Sequence, residues 1–225
     1  TMYDVDDSLN GFASRIWGPH IWFILHYISF WYPEQPTARV RALVKCWFES
    51  LSCILPCGAC RANMSDNLIQ TDYDGEVVFA TRSSLCTFMW LFHANVARSL
   101  TPEYTPPSFE SIYTRYAPIQ GNVSNIDVIP SFLFVLRMVA ANVSQTQLRN
   151  PCYRIVYDRW LNDSFDLIKL CMPSILGVYR IECIHTRPIL TRKLLYVNIV
   201  SICRSIALEC GVVEDDYVNQ IERFR

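Results

Sequence analysis

Two sulfurs three residues apart are the groups in this chain best suited to chemistry. They lie in Leu55-Pro56-Cys57-Gly58-Ala59-Cys60-Arg61, a Cys-x-x-Cys that can close a disulfide across about one helical turn. Pro56 has no amide proton and suits a first helical turn, so the motif predicts a helix from Pro56 onward. Cys57 then sits among free N–H groups at the positive end of the helix dipole, where a thiolate is favoured. Such a dithiol can attack, be attacked and re-form. By itself the motif leaves three readings open. A structural zinc site usually takes four Cys or His ligands, and neither a second Cys-x-x-Cys nor a His pair at ligand spacing accompanies this one. A thioredoxin-like motif needs a βαβ context, whereas the flanks Val40–Ser52 and Ala62–Leu68 read as helix. The third reading is a structural disulfide or two buried thiols.

Aromatic and imidazole groups stand at spacings that could serve the same chemistry. Trp22 and His26 are four apart and share a helix face, and His93, Val96 and Ala97 form a stripe on another helix. A pocket walled by a Trp, two His and a Cys-x-x-Cys suits a flat conjugated ring. The indole can stack on it, and an imidazole can hydrogen-bond its polar edge or a ribose. The alternative is a core Trp with two histidines satisfied by backbone carbonyls.

Helices must bring these residues together. Glycine is scarce, with 7 residues, prolines fall where helices would begin or end, and no alternating series marks a strand. The apolar spacing predicts helices over Pro19–Trp31, Ala38–Ser52, Pro56 to the polar loop beginning at Gln70, and Ser83–Leu100. A Pro-rich loop at Thr101–Ser108 precedes a short helix at Phe109–Tyr116. Pro118–Asn125 reads as a linker. Beyond it, helices are expected over Pro130–Val143, Pro151–Leu170, Pro173–Ile184, Ile189–Leu208 and Asp215–Phe224. The expected fold is therefore all-α, with one helical unit over 8–118 and a second over 125–225.

Composition narrows the function classes. Hydrophobic residues make up 51% of the 225, enough to build a core and to argue against disorder. A formal net charge of -1 gives no electrostatic reason to expect nucleic acid. The richest apolar run, Ile129–Ala141, is short and interrupted by Pro130 and Arg137, so no membrane span is expected. Thr1–Asn10 is polar and acidic, unlike a secretory signal, and Met2 reads as the natural start. Ten cysteines scattered over this length exclude a disulfide miniprotein. Cys46, Cys53, Cys86, Cys152, Cys171, Cys183, Cys203 and Cys210 read as buried thiols or ends of structural disulfides, and no metal site is expected. The Asn-x-Ser sequons at Asn63, Asn122, Asn142 and Asn162 read as chance matches.

Three motifs in order carry a family resemblance. Trp17-Gly18-Pro19-His20-Ile21-Trp22-Phe23-Ile24-Leu25-His26, followed by Trp31-Tyr32-Pro33, resembles the opening signature of the Erv/ALR flavin-dependent sulfhydryl oxidases. Leu55-Pro56-Cys57-Gly58-Ala59-Cys60 resembles that family's redox motif. His93-Ala94-Asn95-Val96-Ala97-Arg98-Ser99-Leu100 is similar to its His-Asn-x-Val-Asn-x-x-Leu. The resemblance covers Ser8 to Tyr116. It implies a four-helix bundle plus a short fifth helix holding FAD, with no Gly-x-Gly-x-x-Gly required. It implies that Cys57 exchanges with incoming dithiols, that Cys60 faces the flavin, and that electrons pass to dioxygen to give hydrogen peroxide. Gly18, Pro19, Trp22 and His26 match the family's cofactor contacts on one side, His93, Val96 and Ala97 those on the other, and Tyr113 stands near the adenine. Both asparagines of the family's third motif are replaced here, by Ala94 and Ala97, and Asn95 is shifted.

The remaining expectations follow from the same resemblance. Many relatives carry a shuttle Cys pair on a tail, and none is evident here. A helical extension of this size looks like that of some large-DNA-virus members. The implied partners are protein dithiols or a thioredoxin-like carrier, dioxygen as acceptor, and a second copy in a homodimer. The implied location is cytoplasmic, in a host or virion. The competing functions are a flavin-free thiol–disulfide oxidoreductase and a non-enzymatic helical scaffold.

Overall fold

The first part of the chain is carried by four long helices and a short fifth. The structure, a computed structural model, describes residues 14–119, 128–173, 175, 177, 179 and 191–212. Helix α1 (Ser14–Trp31) begins upstream of the expected Pro19. Pro19 sits inside the helix, which removes one backbone hydrogen bond. The upstream turn persists because it carries Trp17, 5% exposed, into the core. Ile24, Tyr27 and Phe30 are each 0% exposed, and a helix so apolar on every side belongs at the centre of a fold.

Helix α2 (Ala38–Glu49) is capped by Thr37, whose Oγ1 accepts the Val40 N–H. It ends before the expected Ser52. The Ser50 and Ser52 hydroxyls donate to the carbonyls of Cys46 and Glu49 at 2.7 and 2.8 Å, drawing the backbone out of register. A single turn, α3 (Leu51–Ile54), follows. Helix α4 (Gly58–Gln70) starts later than the expected Pro56, because Cys57 itself is the N-cap, with extended backbone. A turn that the sequence reading lacked, α5 (Gly75–Val78), is capped by Asp74. Helix α6 (Arg82–Leu100) opens on a Thr81–Ser84 capping box, and α7 (Phe109–Tyr116) is capped by Ser108. A 3-10 turn, Ala117–Ile119, occupies the start of the expected linker, whose residues from 120 on lie outside those described.

The second part comprises α8 (Val128–Asn142), α9 (Gln145–Arg149), α10 (Pro151–Cys171) and α11 (Arg192–Cys210). Pro151 takes the first turn of α10, with Asn150 as cap. Gly211 ends α11 in the left-handed conformation, φ 66. The expected helix Pro173–Ile184 is not seen at Pro173, Ile175, Gly177 or Tyr179. There the Gly177 N–H and the Tyr179 hydroxyl donate to Glu209 on α11 at 2.8 and 2.5 Å, which holds the backbone away from a helix. The rest of that stretch, Cys183 included, and Asp215–Phe224 lie outside the described residues.

Helix α1 is packed by α6 on one side and α8 on another; α8 also packs on α11, and α10 on α2 and α3. Aromatic contacts tie the two parts together. Trp47 stacks on Trp160 with centroids 5.8 Å apart, and its indole N–H donates to Ser164 Oγ at 2.7 Å. His20 Nδ1 and Ser131 Oγ share a hydrogen bond of 3.1 Å. Buried residues from both parts form one continuous core. No helix among the described residues is long and apolar enough to cross a membrane.

Candidate active site

Cys57 and Cys60 form a disulfide at the N-terminus of α4, with Cα atoms 5.1 Å apart. Cys57 Sγ accepts the Cys60 N–H at 3.1 Å, which satisfies one of the free donors of the first turn. The same contact would favour a thiolate on Cys57 after reduction. Both cysteines are half-buried.

Cys60 lies on the wall of a cavity of about 650 Å³ bounded by α1, α4, α6 and α7, and Cys57 is not part of that wall. Gly18, Pro19, Trp22, His26, His93 and Val96 line the same cavity. The structure thus brings together, around Cys60, residues drawn from three separate sequence motifs. Trp22 and His93 stack in parallel, centroids 3.9 Å apart and planes within 6°. His26 Nε2 and His93 Nδ1 share a hydrogen bond of 2.9 Å. His93 therefore stands on one wall with Trp22 and His26, where the resemblance implies opposite sides of a cofactor. With His93 covering one face of the indole, a ligand ring can stack only on the other.

Electrostatics keep this wall neutral. Burial, then the neighbouring His93 and Arg115, hold His26 down to about 3, and burial alone lowers His93 to about 4. Two neutral imidazoles can share a hydrogen bond, one donating and one accepting. His26 is 3% exposed, and its Nδ1 has no hydrogen-bond partner among the described residues. Burial also raises the Tyr116 hydroxyl.

Two expected residues stand outside the cavity. Ala97, on α6, is not among the residues that line it, and Tyr113 is 41% exposed, packed edge-on against Phe30 at 5.8 Å. Helix α7 instead lines it with Ile112, Tyr116 and the exposed Arg115. Those three have the i, i+3, i+4 spacing of one helix face, and that spacing was available as a signal in the sequence. Phe92, beside Trp22 at 5.8 Å, and Asn67 on α4 also line the cavity and were not singled out. The shifted Asn95 is not on the wall. Its amide donates to Asn67 Oδ1 at 3.0 Å and to Gln70 Oε1 at 3.2 Å, tying α6 to the helix that carries the cysteines.

The remaining cysteines form no disulfide among the described residues. Cys86, Cys171 and Cys203 are buried, Cys46, Cys53 and Cys210 are half-buried, and Cys152 is exposed. Burial pushes the Cys86 thiol up to about 11, and the Cys171 thiol rises for the same reason, so neither is a ready nucleophile.

The residues present suit FAD. The volume falls within the roughly 300–1,000 Å³ of cofactor sites. Trp22, Phe92 and Tyr116 offer aromatic walls for flat rings, and Arg115 offers a charge of the sign a diphosphate needs.

The Erv1/Alr family matches residues 19–116. A protein from Invertebrate iridescent virus 3, carrying the provisional name FAD-linked sulfhydryl oxidase, is 27% identical over 120 residues, 52% of this chain and 78% of its own. An Acanthamoeba polyphaga mimivirus protein with a similarly provisional name is 34% identical over 62 residues, 28% of this chain and 43% of its own length. No solved structure is a significant match.

Proposed function

Residues 19–116 match the Erv1/Alr family, and on that premise we propose that the chain is an FAD-dependent thiol oxidase that makes disulfides in proteins and passes the electrons to dioxygen. One observation carries the reading: a disulfide with one sulfur, Cys60, on the wall of an aromatic cavity and the other, Cys57, off it.

The two sulfurs divide the work. An incoming thiolate attacks Cys57, forming a mixed disulfide and expelling Cys60 as a thiolate in the first turn of α4, where the helix dipole favours its charge. A second thiol of the substrate attacks the mixed disulfide. The substrate leaves as a disulfide, and Cys57 and Cys60 remain as a dithiol holding the two electrons. When bound, FAD supplies a two-electron acceptor that dioxygen reoxidises, with hydrogen peroxide as product. Trp22 and His26 would hold the cofactor's rings, Arg115 would meet its phosphates, and the neutral His26–His93 pair would offer hydrogen bonds without adding charge beside the rings. Ala94 and Ala97 offer no such bond, and a single neutral hydrogen bond is worth only about 1 kcal/mol, small against the burial of a large flat ligand. The substrates proposed are protein dithiols or a thioredoxin-like carrier, and the active form proposed is a homodimer.

The test is spectroscopic. Purified protein is expected to be yellow, with flavin absorbance that bleaches when dithiothreitol is added anaerobically and returns in air with release of peroxide. A colourless protein that only exchanges disulfides would replace the oxidase with a flavin-free oxidoreductase. Flavin that stays oxidised under dithiothreitol would leave a scaffold.

A further inference from the structure

The loop that presents the disulfide is gripped from behind by a helix outside the family domain. Leu55 and Pro56 rest on Val135, Met138 and Val139 of α8 and on Trp160 of α10, around a void of only about 10 Å³. Two side chains hold the loop's carbonyls. Arg61 donates to Leu55 O. Asn142, the last residue of α8, donates from Nδ2 to Pro56 O at 2.7 Å. Pro56 is buried and has no N–H, so its carbonyl is its one polar handle. That carbonyl shares a rigid peptide plane with the Cys57 nitrogen.

We propose that Asn142 is a positioning residue of the redox site: by fixing the Pro56–Cys57 peptide plane it holds Cys57 in the capping conformation, φ -105 and ψ 119, that sets its sulfur over α4 against Cys60. Reduction breaks the S–S bond, adds two electrons and two protons, and lets the sulfurs separate. The Cys57 side of the loop must then give, against the grip on Pro56. The grip therefore favours the disulfide over the dithiol. The helical extension thereby tunes the couple that the catalytic half uses, an assignment that takes its biological meaning from the oxidase reading but acts on the cysteine pair itself.

The experiment uses the full chain equilibrated in glutathione buffers, with the Cys57–Cys60 dithiol fraction read by alkylation and peptide mass. Asn142→Leu keeps the shape and removes the donor. It is expected to shift the equilibrium about fivefold toward the dithiol, the equivalent of one hydrogen bond and about 20 mV. Asn142→Asp sets an acceptor against Pro56 O and is expected to shift it further. Ser131→Ala removes a different contact between α1 and α8 and is expected to leave the equilibrium unchanged. Thermal unfolding confirms that each variant folds. Equilibria within twofold of the parent in both Asn142 variants, or an equal shift in Ser131→Ala, would overturn the proposal. A parent protein with an ordinary thiol couple that never reduces flavin would instead sink the oxidase reading and leave this comparison intact.

Discussion

Helix α1 has two faces that ended differently. Toward α8 it closes on a seam whose void is about 10 Å³; toward α6 and α7 it opens on a cavity of about 650 Å³. The helix contributes large apolar residues to both, so the contrast comes from its partners. Helix α8 answers with Val135, Met138 and Val139, which interdigitate with Trp17 and Ile21. Helices α6 and α7 answer with His93, Val96 and Arg115, groups that line a space. Polar atoms do not divide so cleanly: near the seam the Trp47 indole and His20 have serine partners, but the Trp160 indole N–H, like His26 Nδ1 on the cavity side, has no hydrogen-bond partner among the described residues. A close-packed seam earns stability, and a cavity with unspent hydrogen-bonding capacity is where a ligand can bind. Substitutions on the two sides should therefore fail in different ways.

The largest effect belongs to the sulfur on the cavity wall. Cys60→Ser is expected to drop oxidase turnover to background while the protein keeps its flavin, because the disulfide cannot form but the aromatic walls remain. Turnover by oxygen uptake and cofactor content by absorbance check the two halves separately. Full activity would refute the assignment of Cys60. On the seam, Trp160→Ala is expected to destabilise the fold by about 3–5 kcal/mol, the cost of a buried indole plus its cavity. Trp160 is 1% exposed and stacks on Trp47. Urea unfolding checks this, and a loss below 1 kcal/mol would mean that the seam contributes little to stability.

Much of this contrast was legible in the residues, and part was not. The helices of the first half were readable because prolines, serines and threonines punctuate them. The places of Trp22 and His26, and of His93 and Val96, on the cavity wall were readable because i, i+4 and i, i+3 spacings survive folding. The start of α1 was misread because Pro19 looks like a first-turn residue, whereas burial of Trp17 outweighs the lost hydrogen bond. The start of α4 was misread because the cap is a cysteine, a residue outside the usual capping set. Tyr113 was placed by analogy with its neighbours in the family, when the helix period of Ile112, Arg115 and Tyr116 pointed elsewhere. The grip of Asn142 on Pro56 spans a separation of 86 residues, and no local pattern encodes a contact that only the packing of α8 on α1 creates.

The cavity side sharpens the comparison. Trp22→Ala is expected to release most of the FAD while costing less stability than Trp160→Ala, since Trp22 is only partly buried and contacts mainly His93 and Phe92. Cofactor content after gel filtration, set against the urea midpoint of the flavin-free proteins, separates the two. Undiminished flavin would mean that the ring lies elsewhere.

The smallest expected effect is a slope. His26 and His93 titrate at 6.5 when unfolded and are held to about 3 and about 4 in the fold. A base with a depressed folded pKa keeps its full contribution to stability above 6.5. Below that, the unfolded chain takes up the proton first, so stability falls with pH until the folded-state values are passed. Each imidazole contributes up to about 1.4 kcal/mol per pH unit across that window. His26→Gln removes one of them while leaving a group that can still hydrogen-bond to His93. The flavin-free variant should therefore lose stability between pH 6.5 and 4 less steeply than its parent, in urea titrations at matched ionic strength. Seam groups such as His20, which burial also lowers, are common to both proteins and cancel in the difference. Equal slopes would mean that His26 meets solvent or a proton-stabilising partner in the folded state, and the neutral wall proposed for the cofactor would then carry charge.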